Sequence, residues 1–249
     1  MSHISLNDVS LIFSKLSPID VNLKRQLLTL GRNKNKRQIA ALRDINLSLV
    51  GGDQLGIIGL NGAGKSTLLE VMCGFLPPSQ GKISSSGQIL SLLGNSATGL
   101  DLELTGKQNV AKLSTALGMS RKEIGKAQKP IQEFSGLGDR FCDPVHTYST
   151  GMKTRLRVAT ILEMTPDILI MDEGIGATDE KFGAAMGERV GEFIRSAGIL
   201  VLASHDMNFI NRFTTRCIIL EDGQITAHGP TSKVVENYKE SVHQPNIRS

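Results

Sequence analysis

The chain has 249 residues, enough for an α/β domain with a substantial core but short for two full domains. A formal charge of +4 and a pI near 9.0 are mildly basic, compatible with acidic headgroups or with simple solubility and no argument for nucleic acid. An aromatic content of 4% without tryptophan leaves few platforms for stacking bases, which weighs against single-strand binding.

Residues 4–13 (I-S-L-N-D-V-S-L-I-F) and 42–50 (L-R-D-I-N-L-S-L-V) carry strand periodicity and predict a small antiparallel sheet. Between them, residues 21–37 combine Leu23, Leu27, Leu28 and Leu30 with Lys24, Arg25, Arg32, Lys34, Lys36 and Arg37. Two readings stay open there: an amphipathic stretch that touches headgroups or a membrane partner, or a solvated charged loop on a short apolar helix.

From Leu55 onward, near-continuous apolar runs alternate with helical stretches, as in a parallel sheet covered on both faces. Strands are expected at residues 55–58, 168–171 and 199–203. The first runs into G-L-N-G-A-G-K-S-T, which is Gly59, Leu60, Asn61, Gly62, Ala63, Gly64, Lys65, Ser66 and Thr67, with a helix expected over residues 66–73. Such a loop turns successive backbone N–H groups inward onto phosphate oxygens, with a helix N-terminus behind them. It identifies a nucleoside-triphosphate site, in which Lys65 reaches the β- and γ-phosphates and the Ser66 hydroxyl ligates Mg²⁺.

Residues 95–147 show helical spacing at Val110, Leu113 and Leu117 and predict a helical subdomain inserted into the sheet domain. The strand at 168–171 ends in Asp172 and Glu173, at the carboxyl edge where open α/β sheets place ligands. Asp172 can hold Mg²⁺ through water, and Glu173 can accept a proton from the water that attacks the γ-phosphate. His205 ends the next apolar strand and can donate a hydrogen bond to the γ-phosphate. Strands at 216–220 and 223–227, joined by Glu221-Asp222 as a hairpin, precede a helix over 231–242.

Cys73, Cys142 and Cys217 are far apart and form no C-x-x-C spacing, which fits a reducing compartment and no metal cluster. No secretory signal opens the chain and no apolar run is long enough to cross a bilayer. The cytoplasm is the expected compartment, and work at a membrane would need a partner.

The order of phosphate loop, helical insert, Tyr148-Ser149-Thr150-Gly151-Met152, Asp-Glu strand and His-tipped strand resembles the nucleotide-binding subunit of ATP-binding cassette (ABC) transporters over nearly the whole chain. The resemblance implies an α/β P-loop NTPase fold: a parallel-sheet core, an N-terminal antiparallel β-subdomain and an inserted helical subdomain, as a single nucleotide-binding domain over residues 1–249. It further implies a homodimer in which the signature residues Ser149, Thr150, Gly151 and Met152 of one copy close over ATP held by the other, with the D-loop acid Asp179 stabilising the interface. The family signature reads L-S-G-G-Q, so Tyr148, Thr150 and Met152 are departures, and the Met cannot donate as Gln does. Asn95 is the nearest amide to the family's metal-sensing glutamine, and Phe13 falls near its adenine-stacking aromatic, with a core phenylalanine as the other reading of that position.

The Y-S-T-G-M signature, the stretch Leu104-Thr105-Gly106-Lys107-Gln108-Asn109 and the run D-E-G-I-G-A-T-D are similar to exporters of lipid-linked polysaccharides: O-antigen, capsule and teichoic acid. This branch implies an ATPase on the cytoplasmic face of the inner (plasma) membrane, an integral membrane permease as partner, a lipid-linked glycan as cargo and no nucleic acid. No C-terminal glycan-binding module is expected. Rival readings are an ABC ATPase of another transport system, a soluble cofactor-assembly ABC ATPase, and a P-loop kinase. The kinase leaves the S-x-G signature and His205 unexplained.

Overall fold

A computed structural model describes residues 2–15, 37–93, 99–172 and 183–243. Its elements run β1 (His3–Lys15), β2 (Arg37–Val50), β3 (Gln54–Ile58), α1 (Lys65–Met72), β4 (Gln80–Ser86), β5 (Ile89–Leu92), α2 (Gly106–Ala116), α3 (Arg121–Ser135), α4 (Thr150–Leu162), β6 (Ile168–Asp172), α5 (Gly183–Ser196), β7 (Ile199–Ala203), α6 (Met207–Phe213), β8 (Arg216–Glu221), β9 (Gln224–Pro230) and α7 (Thr231–His243). Two short 3-10 turns, Gly138–Cys142 and Val145–Thr147, lie between α3 and α4.

β1 and β2 pair antiparallel, and their alternation places Ile4, Leu6, Val9 and Leu11 opposite Leu49, Leu47, Ile45 and Leu42 on the buried face. The register shifts after Leu6, where Asp8 takes a φ of 51° and Asp44 one of 49°. Asp8 and Asn46 stitch this bulge together, the Asp8 amide donating to Asn46 Oδ1 (3.0 Å) and Asn46 Nδ2 donating to Asp8 Oδ1 (2.9 Å). β4 joins the other edge of β1 and completes a three-stranded sheet in the order β2-β1-β4. The sequence gives no periodic sign of β4, because only Ile83 in it is even half-buried.

The second sheet has the order β5-β6-β7-β3-β8-β9, parallel from β5 through β8, with β9 antiparallel at the edge. Alternate residues of β6 and β7 serve opposite faces. Ile168, Ile170, Ile199 and Val201 pack with Leu68, Leu69, Val71 and Met72 of α1 and with the first sheet. Leu169, Met171, Leu200 and Leu202 pack with Val158, Ile161 and Leu162 of α4, Phe193 of α5, Ile210 and Phe213 of α6, and Val234 of α7. Apolar cover on both sides is why these strands read as continuous hydrophobic runs.

The helical insert has its own cluster, built from Val110, Ala127, Ile131, Leu137, Phe141, Val145 and Tyr148, and shares α4 with the sheet domain through Leu156 and Ala159. Capping boxes start two of its helices, Thr105 with Gln108 and Ser120 with Glu123. One expectation is corrected: Glu221 pairs with Gln224, so the hairpin turns at Asp222-Gly223, not at Glu221-Asp222. Asp222 (φ 45°) and Gly223 (φ 78°) both take positive φ, as a tight Asp-Gly hairpin turn requires.

Candidate nucleotide site

The chain leaves β3 at Gly59 directly beneath β8. A Cβ on Gly59 would lie 2.2 Å from the carbonyl oxygen of Leu220, so no side chain fits there. Gly64 caps α1 with a φ of 104°, and the first helical bond runs from the Leu68 amide to Gly64 O at 2.8 Å. The amides of Lys65, Ser66 and Thr67 therefore precede any helical carbonyl they could bond, at the positive end of the helix dipole. These three residues, with Asn61, Gly62 and Gly64, line a cavity of about 760 Å³. The ammonium of Lys65 folds back over the loop and donates to Gly59 O (2.8 Å) and Leu60 O (3.1 Å).

Asp172, the last residue of β6, lines the same cavity. A serine hydroxyl and a carboxylate are hard oxygen donors of the kind Mg²⁺ takes. Two such donors leave coordination positions for phosphate and water, the way Mg²⁺ is usually held; among the described residues no group of three or more His, Cys, Asp or Glu could hold a metal ion.

β7 lies between β6 and β3, with Ala203 in register with Asp172 on one side and Ile57 on the other. His205, two residues beyond β7, therefore sits at the same sheet edge as the loop and Asp172. Its surroundings are held by Ser204 Oγ, which accepts from the Asp206 amide (3.0 Å), and by Asp206, which caps α6 by accepting from the Asn208 (2.8 Å) and Phe209 (3.2 Å) amides.

Ser149 caps α4, its Oγ accepting from the Met152 amide at 3.2 Å. Ser149, Thr150 and Gly151 are exposed and Met152 is half-buried. None of the four lines the nucleotide cavity. Phe13 also stands outside the lining, but it pairs across the strands with Ile39, which does line it, and both are exposed, 43% and 49%. Directly paired residues share a face, so the two form an apolar ledge at the cavity's rim. Asn95, Glu173 and Asp179 lie outside the described residues, as does the 21–37 insert apart from Arg37, which opens β2.

Sequence reading missed the remaining wall: Ile39, Ala40, Ala41 and Arg43 of β2, with Asp222 and Gly223 of the β8–β9 turn. The Arg43 amide donates to Gly223 O (2.8 Å) and the Gly223 amide to Ala63 O (3.0 Å), so β2, the turn and the phosphate loop form one hydrogen-bonded unit. Residues 39–41 precede the stretch with strand periodicity in the sequence, and only the fold shows that β2 begins at Arg37 and faces this pocket.

A glycine loop at the tip of a central parallel strand, opening a helix beside an acid-tipped neighbour, defines a P-loop nucleotide-binding protein. The sequence model of the ABC transporter family matches residues 42–176, and the chain belongs to that family. It is 33% identical over 207 residues to the teichoic acids export ATP-binding protein TagH of Shouchella clausii, covering 83% of this chain and 57% of that protein. It is likewise 33% identical to the O-antigen export system ATP-binding protein RfbB of Klebsiella pneumoniae, covering 83% of each. The chain thus spans little more than half the length of TagH. The ATP-binding subunit of an ABC transporter superposes with a TM-score of 0.69 at 23% identity, over 95% of this chain and 93% of that one. A dimeric ATP-binding cassette in a post-hydrolysis state with ADP and phosphate superposes at 0.64 and 22%, over 92% and 98%. Both carry the α/β cassette fold expected from the sequence.

Proposed function

We propose that this chain is the ATP-binding and ATP-hydrolysing subunit that drives export of a lipid-linked polysaccharide, O-antigen-like or capsule-like, through a separate membrane-spanning partner. The observation that carries the reading is the separation of two surfaces in one chain. The phosphate loop, Asp172 and His205 share one sheet edge, while Ser149 and Gly151 stand exposed at the start of α4 and outside that cavity. Such a site is completed by a second copy. Similarity to ATP-binding proteins named for teichoic acid export and for O-antigen export supports the cargo class.

In this mechanism the loop amides and Lys65 take the β- and γ-phosphates, Lys65 exchanging its two carbonyl partners for phosphate oxygens. Ser66 and Asp172 hold Mg²⁺, which neutralises phosphate charge when bound. Glu173 accepts the proton of the attacking water and His205 donates to the γ-phosphate. Ser149 and Gly151 of the second copy close over the same γ-phosphate, with Asp179 at the interface. Two copies closing on ATP and opening after hydrolysis form the bistable element that moves the partner. The surface offered to the partner is the helical insert with the Asn95 region.

The test deletes the chain from its source cells and complements with wild type or Glu173→Gln, following where lipid-linked glycan accumulates. Glycan trapped inside in the deletion and Glu173→Gln strains, with turnover of the purified variant lowered roughly 10²- to 10⁴-fold, is the expected result. Normal surface glycan in every strain would refute polysaccharide export.

A further inference from the structure

Tyr148 directly precedes the cap residue Ser149 and is only 5% exposed. Its hydroxyl donates to the carbonyl of Arg140 at 2.5 Å and rests on the first residue of α2, Gly106. A Cβ on Gly106 would lie 2.4 Å from the Tyr148 oxygen and 2.8 Å from Phe141 O, so the contact exists only because residue 106 has no side chain. Burial, reinforced by the Asp143 carboxylate, pushes the phenol above its ordinary 10.0 and keeps it a neutral donor.

The segment that Tyr148 ends is laced to the turn before α2. The Val145 amide donates to Leu104 O (2.9 Å), the His146 amide to Leu102 O (2.9 Å) and the Gly106 amide to Asp143 O (3.2 Å). Arg140 folds over the same segment, donating to Thr147 O at 3.2 Å. Asn109 braces the turn from within, accepting from the Asp101 amide (2.7 Å) and donating to Asp101 O, Leu104 O and Thr105 O. A purely apolar residue at 148 could fill the same core. The hydroxyl adds one directed bond, at the residue next to the signature serine.

We infer that Tyr148 is a positioning residue, whose hydroxyl, bonded to Arg140 O and packed on Gly106, ties the start of α4 to the 138–142 turn and against the first residue of α2, and so sets the angle at which Ser149 and Gly151 are presented to ATP on a second copy. The inference rests on the proposed role of the signature and adds to it the residue that aims it. It also gives Gly106 and Tyr148 one shared cause, although they lie in separate motifs.

The test uses the full chain with Tyr148→Phe, which removes only the hydroxyl. Nucleotide affinity of the monomer, read with a fluorescent ADP, should be unchanged, because the phosphate loop is untouched. Turnover at saturating ATP should fall about three- to tenfold, the scale of one buried hydrogen bond. In a Glu173→Gln background, the ATP concentration for half-maximal dimerisation should rise by a similar factor in sedimentation measurements. A lowered unfolding midpoint with turnover and dimerisation unchanged would mean a merely structural role and overturn the inference. Ser149→Ala runs in parallel: if it leaves dimerisation and turnover intact, the reading of the signature fails. If it impairs them while Tyr148→Phe does not, only the positioning role fails.

Discussion

The Nζ of Lys65 lies 2.8 Å from the carbonyl oxygen of Gly59, so the phosphate loop is closed by its own cation. A nucleotide must offer phosphate oxygens that outcompete this bond and the second one to Leu60 O. Charge-assisted hydrogen bonds are among the stronger ones, and phosphate carries more charge than a carbonyl. Lys65→Met should weaken ATP binding about ten- to hundredfold, the scale of a bond to a charged group, and should weaken ATP more than ADP. Calorimetry with both nucleotides checks this, and equal losses would place Lys65 away from the γ-phosphate.

Ser66 and Asp172 face one cavity from two different elements, α1 and β6. On the proposed role of Asp172 as a water-mediated partner of the ion, Asp172→Asn should raise the Mg²⁺ concentration for half-maximal turnover about ten- to hundredfold, as loss of an outer-shell partner does. Chelation of Mg²⁺ should stop turnover in wild type and be reversed by adding the ion back. An unchanged Mg²⁺ dependence in Asp172→Asn would remove that residue from the metal site.

Arg43 lines the nucleotide cavity, and among the described residues its guanidinium has no ion pair or side-chain hydrogen bond. An exposed cation there adds attraction for a polyanion that salt screens. Arg43→Ala should therefore raise the KM for ATP a few-fold at low ionic strength, with the difference shrinking as salt is added and turnover at saturation retained. A KM ratio independent of salt would argue against a direct electrostatic contribution.

The parts of this site legible in the sequence are those fixed by local chain geometry. Gly59 to Thr67 reads as a phosphate loop because strand, glycines and helix follow one another, and Asp172 and His205 stand out because buried strands end in polar residues. Long-range placement was not legible. Arg43 and Asp222 reach the cavity only because the β8–β9 turn docks on both Ala63 and β2. β4 carries no hydrophobic alternation because its serines face solvent, so pairing with β1, not burial, makes it a strand. Alternation alone starts the last strand at Gly223, whereas the positive φ of Gly223 puts it in the turn and shifts the hairpin by one residue.

Burial pushes the thiols of Cys73 and Cys217 up to about 12 from an ordinary 9.0, while Cys142 is exposed. At pH 8 a thiol-specific disulfide reagent should titrate exposed Cys142 fast, half-buried Cys73 slowly and Cys217 only once urea unfolds the chain. The folded chain keeps protons that the unfolded chain releases above pH 9. Their contribution to stability is therefore complete below that pH and declines as pH rises towards 12. Urea midpoints should accordingly fall between pH 8 and pH 10, and less steeply in a Cys73→Ala, Cys217→Ala variant. Rapid labelling of Cys217 in the native chain would contradict its buried placement.

Asn109 is 2% exposed and supports the 101–105 turn through four hydrogen bonds. Asn109→Ala leaves the Asp101 amide and several carbonyls without that partner, at about 1–3 kcal/mol for each group left buried and unsatisfied. Asn109→Asp keeps the acceptor for the Asp101 amide but turns a second carboxylate oxygen towards the carbonyls of Asp101, Leu104 and Thr105, and buries a charge. It should therefore destabilise at least as much as alanine does, although it is closer in shape. Because this turn holds the 143–146 segment, both variants should also lower turnover at saturating ATP while nucleotide binding to the phosphate loop persists. Urea unfolding, nucleotide affinity and turnover measured on the same preparations decide it. A neutral Asn109→Asp variant would show that the turn is held by its backbone pairing with residues 143–146 and not by the Asn109 amide.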